Sequence, residues 1–302
     1  MTAQVVLNPY SNRWNAQARW PQAEAALRSA GIDFQLAVSQ GPGEAAELAE
    51  AAAREGRFPV IAAGGDGTIG EVVNGLAKVQ GEASWGPLGI LPLGSANDLA
   101  YSLGLPTDLD AAAVVVATGN VRLMDIGRAN DTYFANNSAV GLEPYVTTVQ
   151  QRIRRIKGVL RYLVAALGGI WQRPSWSGKL EWADGSYQGP LTLLTVGIGC
   201  RSGGVFYMIP HADPFDGELT FVYGHRGSRW GMLRLLPKAM RPGAGSYVEA
   251  EGMHELSSSW LRVHLDQGSP GHTDGELWPG QVTDIEYQVL PAKLQILVPG
   301  RS

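Results

Sequence analysis

The stretch Ala63-Gly64-Gly65-Asp66-Gly67-Thr68-Ile69-Gly70-Glu71 carries the residue types from which a phosphate-binding turn is built. It follows an apolar run, Pro59 to Ala63, and opens a helical pattern from Ile69 to Val79. Glycines let a backbone come close to a phosphate chain, and the N–H groups of a first helical turn point at the anion. A turn in which glycine only saves space needs neither the carboxylate of Asp66 nor the hydroxyl of Thr68 between the glycines. The segment therefore implies nucleotide binding at the carboxyl end of a parallel sheet.

The elements around it are of the kind that would position such a turn. Val5 to Leu7 reads as a strand ending at Asn8-Pro9, and Gln17 to Ala30 as a helix stopped by Gly31. A strand Phe34 to Val38, a helix Gly43 to Glu55 and the strand Pro59 to Ala63 follow, then the helix Ile69 to Val79, the strand Leu88 to Pro92 and the helix Asn97 to Leu103. Strands that are apolar throughout, alternating with helices, predict an α/β domain with a parallel sheet covered on both faces. From about Val121 the pattern changes. Thr132 to Asn136, Lys179 to Trp182, Leu191 to Ile198, Glu218 to Tyr223 and Leu261 to Leu265 are β-rich segments between Gly, Pro and Asp turns, which predicts an antiparallel β-sandwich. Two helical intervals, Pro144 to Trp171 and Trp230 to Met240, interrupt it. The expected division is a nucleotide-binding α/β domain over 1–125, a β-sandwich substrate domain over 126–290, and a return to the first domain over 291–302.

Bulk properties narrow the function. At 302 residues, 45% hydrophobic and 17% charged, with 39 Gly and 18 Pro, the chain is globular and rich in turns. A net charge of −4 speaks against a nucleic-acid binder, which needs a basic surface. The single cysteine, Cys200, forms no intramolecular disulfide and reads as a packed strand residue, so a reducing cytoplasmic setting is expected. The N-terminus reads as a first strand, not a signal peptide. The longest apolar run, Val159 to Trp171, is interrupted by Arg161 and is short for a bilayer span, so integral membrane insertion is not expected. The five histidines show no metal-ligand spacing.

The Gly64 to Thr68 segment resembles the signature shared by diacylglycerol kinases, sphingosine kinases, NAD kinases and, more loosely, phosphofructokinases. Its continuation, Leu91-Pro92-Leu93-Gly94-Ser95-Ala96-Asn97-Asp98-Leu99-Ala100, resembles the second signature of the diacylglycerol kinase group. Asn8-Pro9 and the segment opened by Ser39 resemble the first two nucleotide contacts of bacterial lipid kinases. Asp213-Pro214-Phe215-Asp216-Gly217-Glu218 resembles their magnesium loop, and Thr273-Asp274-Gly275-Glu276 their catalytic turn. These motifs stand in the family's order, and the resemblance runs nearly the full length, from Asn8 to Pro299.

The resemblance implies a fold, a reaction and a set of residues. Asn8, Pro9, Ser39, Gly64, Gly65, Asp66, Gly67, Thr68, Ile69, Gly70, Ser95 and Asn97 would surround ATP. Asp274 or Glu276 would take the proton of the attacking hydroxyl, with Asp66 a further catalytic carboxylate. Taken alone, Asp274-Gly275 is a strong hairpin-turn pair. A Mg²⁺ ion outside the chemistry would sit on the Asp216 carboxylate and main-chain oxygens of Asp213 and Glu218. Two positions depart from the family: Gly70 stands where asparagine is usual and Asn12 where a loop glycine is usual, changes read as tuning affinity or donor preference. The acceptor would be a lipid hydroxyl, on diacylglycerol, a sphingoid base or a related lipid. The basic run Arg152 to Lys157 and the amphipathic segment after it suggest peripheral contact with the inner membrane face. The rival readings are a kinase of a soluble metabolite, such as NAD kinase, and a lipid- or nucleotide-binding regulator with weak turnover. Oligomeric state is not legible.

Overall fold

The computed structural model describes residues 2–12, 15–153, 158–172 and 175–300. The chain divides into two compact units, one of residues 1–126, 214–216 and 290–302, the other of residues 127–213 and 217–289. The first unit runs through β1 (Ala3–Leu7), α1 (Asn15–Ser29), β2 (Phe34–Val38), α2 (Glu44–Arg54), β3 (Val60–Gly64), α3 (Asp66–Gln80), β4 (Trp85–Pro92), α4 (Asp98–Ser102) and α5 (Leu109–Thr118). Strand β5 (Asn120–Ala129) carries the chain into the second unit. There follow β6 (Thr132–Phe134), β7 (Asn137–Gly141), α6 (Leu142–Arg152), α7 (Gly158–Gln172), β8 (Trp176–Trp182), β9 (Gly185–Leu191), β10 (Leu193–Gly197), β11 (Leu219–Gly224), α8 (Arg229–Ala239), β12 (Met253–Ser258), β13 (Trp260–Ser269), β14 (Gly271–Thr273) and β15 (Glu276–Leu277). The last strand, β16 (Val282–Val298), returns to the first unit from residue 290.

In the first unit the strands run parallel in the order β2-β1-β3-β4-β16. Val5 of β1 lies opposite Leu36 on one side and Ile61 on the other. Every residue of β1 and β3 is buried, Gln4 included, the signature of a sheet covered on both faces. One such core joins Val5, Leu7, Ile61 and Leu91 to Leu27 of α1 and to Leu109 and Val116 of α5.

The helices of this unit pack through small residues. The buried face of α2 is Ala45, Ala49, Ala52 and Ala53. It lets α3 approach so closely that a Cβ on Gly75 would lie 2.1 Å from the carbonyl oxygen of Ala46. Helix α5 escapes a sequence reading because Val114-Val115-Val116 imitates a strand. Its N-cap is Asp108, whose carboxylate accepts the Ala111 N–H at 2.9 Å.

The second unit is antiparallel. One sheet has the order β12-β11-β10-β7-β14-β15, and the other joins the first part of β16 to β13, β8 and β9. Aromatic side chains fill the space between them: Trp182 of β8 meets Phe221 of β11 at 5.6 Å between ring centroids, and Tyr187 of β9 meets Tyr223 at 4.9 Å. The helical interval expected over Pro144 to Trp171 is instead two helices. α6 ends where Ile153 turns to an extended ψ of 105°, and α7 opens at Gly158. The sequence places the basic run Arg152 to Lys157 at this join. Residues 154–157 of that basic run lie outside the described residues.

The α2–α3 contact gives a direct test. Gly75→Ala must move backbone to admit one methyl group, so it should cost about 1–3 kcal/mol of stability by overpacking. Thermal or urea unfolding measures this, and an unchanged or raised midpoint would show that the helices are not held at this distance.

Candidate active site

The carboxyl ends of β1, β2, β3 and β4 deliver four loops to one edge of the sheet: Asn8-Pro9, Ser39, Gly65 and Gly94. Such an edge is where α/β sheets bind ligands. The loops after β3 and β4 touch backbone to backbone. A Cβ on Gly94 would lie 2.4 Å from the Gly65 Cα, and one on Gly64 2.3 Å from Thr68 Oγ1. No larger residue fits either place without a shift. Asp66, the first residue of α3, accepts the Leu99 N–H at 2.9 Å, so its carboxylate fastens the first glycine turn to the start of α4. Asn97 caps α4 with φ 52° and donates its side-chain amide to the Gly94 carbonyl at 3.1 Å.

The β1 loop joins the same group. Thr68 Oγ1 is bonded by Asn8 Nδ2 at 3.1 Å and by Ser11 Oγ at 3.2 Å, and Ser95 Oγ donates to Asn12 Oδ1 at 2.8 Å. Asn12 adopts φ 52°, the left-handed region that glycine favours and asparagine tolerates, so its side chain does not oblige a different loop shape. Ser39 is buried, its N–H donating to the Leu7 carbonyl at 2.9 Å. Its loop is braced by a residue that sequence reading passes over. The Glu71 carboxylate of α3 accepts the N–H groups of Gly43 and Ala45 at 3.0 and 3.1 Å, capping α2 from a neighbouring helix. Gly67, Ile69 and Gly70 complete the first turns of α3, whose N-cap, Gly65, offers no side-chain oxygen to the N–H groups there. The start of α3 therefore keeps the electropositive end that anions seek.

In the second unit Asp274 and Gly275 form the two-residue loop between β14 and β15, with φ 47° and 84°, as a type I′ hairpin requires. The hairpin reading of these residues thus holds. The Asp274 side chain does more than turn the chain. Its carboxylate, buried, accepts three successive main-chain N–H groups: Ala135 at 2.9 Å, Asn136 at 2.8 Å and Asn137 at 3.1 Å. Glu276, two residues on, is exposed.

Behind the turn lies a buried polar group that no motif announces. Glu143, on the first turn of α6, accepts hydrogen bonds from Asn137 Nδ2 at 3.3 Å, from Thr195 Oγ1 at 2.8 Å and from Ser202 Oγ, with His272 Nε2 at 3.5 Å. Burial pushes its carboxyl up, but the hydrogen bonds from His272, Ser202 and Thr195 outweigh this and hold it below the ordinary value.

Asp213, Asp216 and Glu218 are exposed, around Gly217 at φ 80°. Among the described residues no three His, Cys, Asp or Glu side chains gather to hold a metal ion, so this loop offers no three-carboxylate site. Nor, among them, is any helix long and apolar enough to cross a membrane.

Residues 2–129 match the diacylglycerol kinase catalytic domain and residues 137–298 the YegS C-terminal NAD kinase beta sandwich-like domain. A protein of Chromohalobacter salexigens named "Probable lipid kinase YegS-like" is 33% identical over 284 residues, 93% of this chain and 89% of its own. The chain belongs to the diacylglycerol kinase and YegS-like lipid kinase family. Another relative in this family, the "Diacylglycerol kinase" of Staphylococcus saprophyticus, is 27% identical over 95% of this chain and 93% of its own. The crystal structure of a diacylglycerol kinase from Bacillus anthracis str. Sterne superposes with a TM-score of 0.73 at 18% identity, covering 98% of this chain and 96% of that one, and so shares the fold. As a member of this kinase family, the chain is a phosphotransferase with an α/β catalytic domain and a β-sandwich domain.

The lowered Glu143 carboxyl gives the pH dependence a sign. A group depressed in the folded state contributes stability above its unfolded value and loses it as pH falls through the folded one. Melting temperatures of the native chain should therefore fall as pH drops below the ordinary carboxylate value of 4.5, and Glu143→Gln should flatten that acid limb while lowering the plateau at neutral pH. Acid limbs of equal slope would contradict this.

Proposed function

We propose that this kinase transfers the γ-phosphoryl group of ATP to the hydroxyl of a lipid alcohol. The chief support is the pair of glycine turns that meet at the sheet edge, Gly65 against Gly94, with Asp66 and Thr68 tying them to α4 and to the β1 loop. Phosphoryl transfer asks mainly for positioning and for charge to oppose the phosphate oxygens. The backbone N–H groups at the start of α3 supply such charge, and Asn8, Ser39, Ser95 and Asn97 line the loops that would hold the nucleotide. Asp66 orients the phosphate-binding turn. The proton of the acceptor hydroxyl goes to a carboxylate of the Asp274-Gly275-Glu276 turn. Asp274 is the one whose orientation the fold fixes, and Glu276 is the one that faces solvent.

Magnesium, when bound, offsets phosphate charge or braces a loop. In this chain Asp216 through its carboxylate, with main-chain oxygens of Asp213 and Glu218, supplies the hard donors that a hydrated Mg²⁺ takes.

The second unit holds a cavity of about 80 Å³ whose walls include Val146, Ala166, Ile170, Phe206, Met232 and Leu236. Glu143, Thr192, Arg226 and Tyr247 add polar groups to a lining that is otherwise apolar, and the apolar part suits a stretch of an acyl chain. Helix α7 faces two ways. Ala166 and Ile170 line the cavity, whereas Leu160, Leu167 and Trp171 are 60%, 48% and 59% exposed. Trp230 of α8 is 68% exposed, and the Arg229 guanidinium lies over the Trp171 ring at 5.1 Å. Exposed Trp and Leu beside a cation suit the headgroup layer of an anionic bilayer, which fits a peripheral enzyme that takes its substrate from a membrane.

Two experiments test this. Radiolabelled γ-phosphate should pass to a lipid from a panel presented in micelles and not to NAD. Asp274→Ala or Glu276→Ala, whichever removes the proton acceptor, should cut the rate by about 100-fold or more. Transfer to NAD alone, or full activity in both variants, would sink the assignment. Separately, Trp171→Ala combined with Trp230→Ala should reduce co-sedimentation with phosphatidylglycerol vesicles, with a melting temperature near that of the native chain because both side chains are exposed. Unchanged sedimentation would remove α7 and α8 from membrane contact.

A further inference from the structure

Glu143 is 4% exposed and reaches the catalytic turn by two routes, each one residue long. The first runs through Asn137. Its side chain donates to Glu143 Oε1 at 3.3 Å, while its own N–H donates to Asp274 Oδ1 at 3.1 Å and its carbonyl accepts the Asp274 N–H at 2.8 Å. The second runs through His272, which is 2% exposed. The Gly275 N–H donates to His272 Nδ1 at 3.4 Å, which places the ring hydrogen on Nε2, 3.5 Å from Glu143 Oε1. Thr195 and Ser202 fix the carboxylate from the β10 side.

Burying a carboxylate costs stability, and an apolar side chain of similar volume would pack against the neighbouring cavity wall at lower cost. A carboxylate supplies what an apolar group cannot, a fixed set of hydrogen-bond directions. Both routes end on the two residues whose φ angles are left-handed and whose loop carries Asp274. The hairpin itself is held by only two paired residues a side. Main-chain pairing of Gly271, His272 and Thr273 with β7 places the base of the hairpin, and side chains fix the turn beyond it.

We propose that Glu143 is a positioning residue for phosphoryl transfer, holding the Asp274-Gly275-Glu276 turn in its working geometry through Asn137 and His272. This rests on the assignment of that turn as the proton acceptor.

The test uses the full chain, ATP and the lipid of the panel that accepts phosphate fastest. Glu143→Gln keeps the shape and removes the charge. His272→Gln keeps a donor toward Glu143 and removes the acceptor of the Gly275 N–H. In Glu143→Gln, kcat should fall by about 100-fold, the cost of a small misplacement at a reacting centre. In His272→Gln it should fall by about 10-fold. The KM for ATP should stay within about twofold in both, since the nucleotide loops belong to the other unit. Amide hydrogen exchange should quicken at residues 135–137 and 275 and remain as in the native chain along β1 and β3. Either variant with a kcat within about twofold of the native chain while fully folded overturns the proposal, as does unaltered exchange at those amides. Should Glu143→Gln fail to fold, His272→Gln decides. If Asp274→Ala and Glu276→Ala both keep full activity, the assignment of the turn falls by itself, and the exchange data still judge whether Glu143 holds it.

Discussion

A buried carboxylate that accepts three main-chain N–H groups cannot swing away without leaving all three unpaired, and Asp274 is in that position. Each buried donor stranded in this way costs about 1–3 kcal/mol. The clamp explains how a hairpin with so little pairing of its own holds a non-glycine residue at φ 47°. Left-handed backbone is unfavourable for most side chains, and aspartate is among the few that tolerate it. The strain is small beside the bonds that would be lost on relaxing it. The orientation of Asp274 is thus set by residues 135–137, which lie far away in sequence, and those residues are in turn steadied by Glu143.

The first unit reaches the same end by the opposite means. There the constraint is absence of side chain: Gly65 and Gly94 meet Cα to Cα, and Gly64 makes room for Thr68. Two loops that close can act as a single surface only if something stops them from sliding, and Asp66 does this with a bond to the Leu99 N–H. Thr68 serves the β1 loop similarly, accepting from Asn8 and sharing a hydroxyl hydrogen bond with Ser11. The polar residues of the glycine turn hold its neighbours in place, while its glycines let the loops close on one another. This division of labour accounts for why the acidic and hydroxyl positions sit between glycines at fixed spacing.

Much of this was legible because it follows from local chemistry. Continuous apolar strands gave the parallel sheet, turn residues between β-rich segments gave the sandwich, and Gly64 to Thr68 announced a tight glycine turn from strand to helix. Helix α5 was not legible, since three successive valines carry a strand's propensity and only packing against α1 and β4 settles the matter in favour of helix. The break between α6 and α7 was also lost to a long apolar and basic run with no proline to mark it. Glu143, Asn137 and His272 had no signal at all. Nothing local distinguishes a glutamate in the first turn of a helix that caps it from one buried against strands 50 to 130 residues away. Glu71 is the same case, reading as an ordinary helical acid until α2 is found resting its first N–H groups on it.

Asp125 shows how far tertiary context can exceed pattern. It lies in the first unit next to the point where the chain leaves it, and it binds the two segments with which the chain comes back. Its N–H donates to the Pro214 carbonyl at 2.9 Å, and its buried carboxylate accepts the Ala292 N–H at 2.7 Å. Ala292 takes φ 51°, a conformation that costs alanine about 1–2 kcal/mol. A charge-assisted hydrogen bond to a buried carboxylate offsets that cost. Next to Pro214, the Phe215 ring sits under the Arg122 guanidinium at 3.4 Å, so β5 grips this three-residue return by main chain and by side chain. A piece that short has no periodicity to read, and only its partners on β5 show where it belongs. The loop carrying Asp213, Asp216 and Glu218 is therefore pinned at its centre by the protein itself, and an ion held there would reinforce an anchored turn instead of creating one.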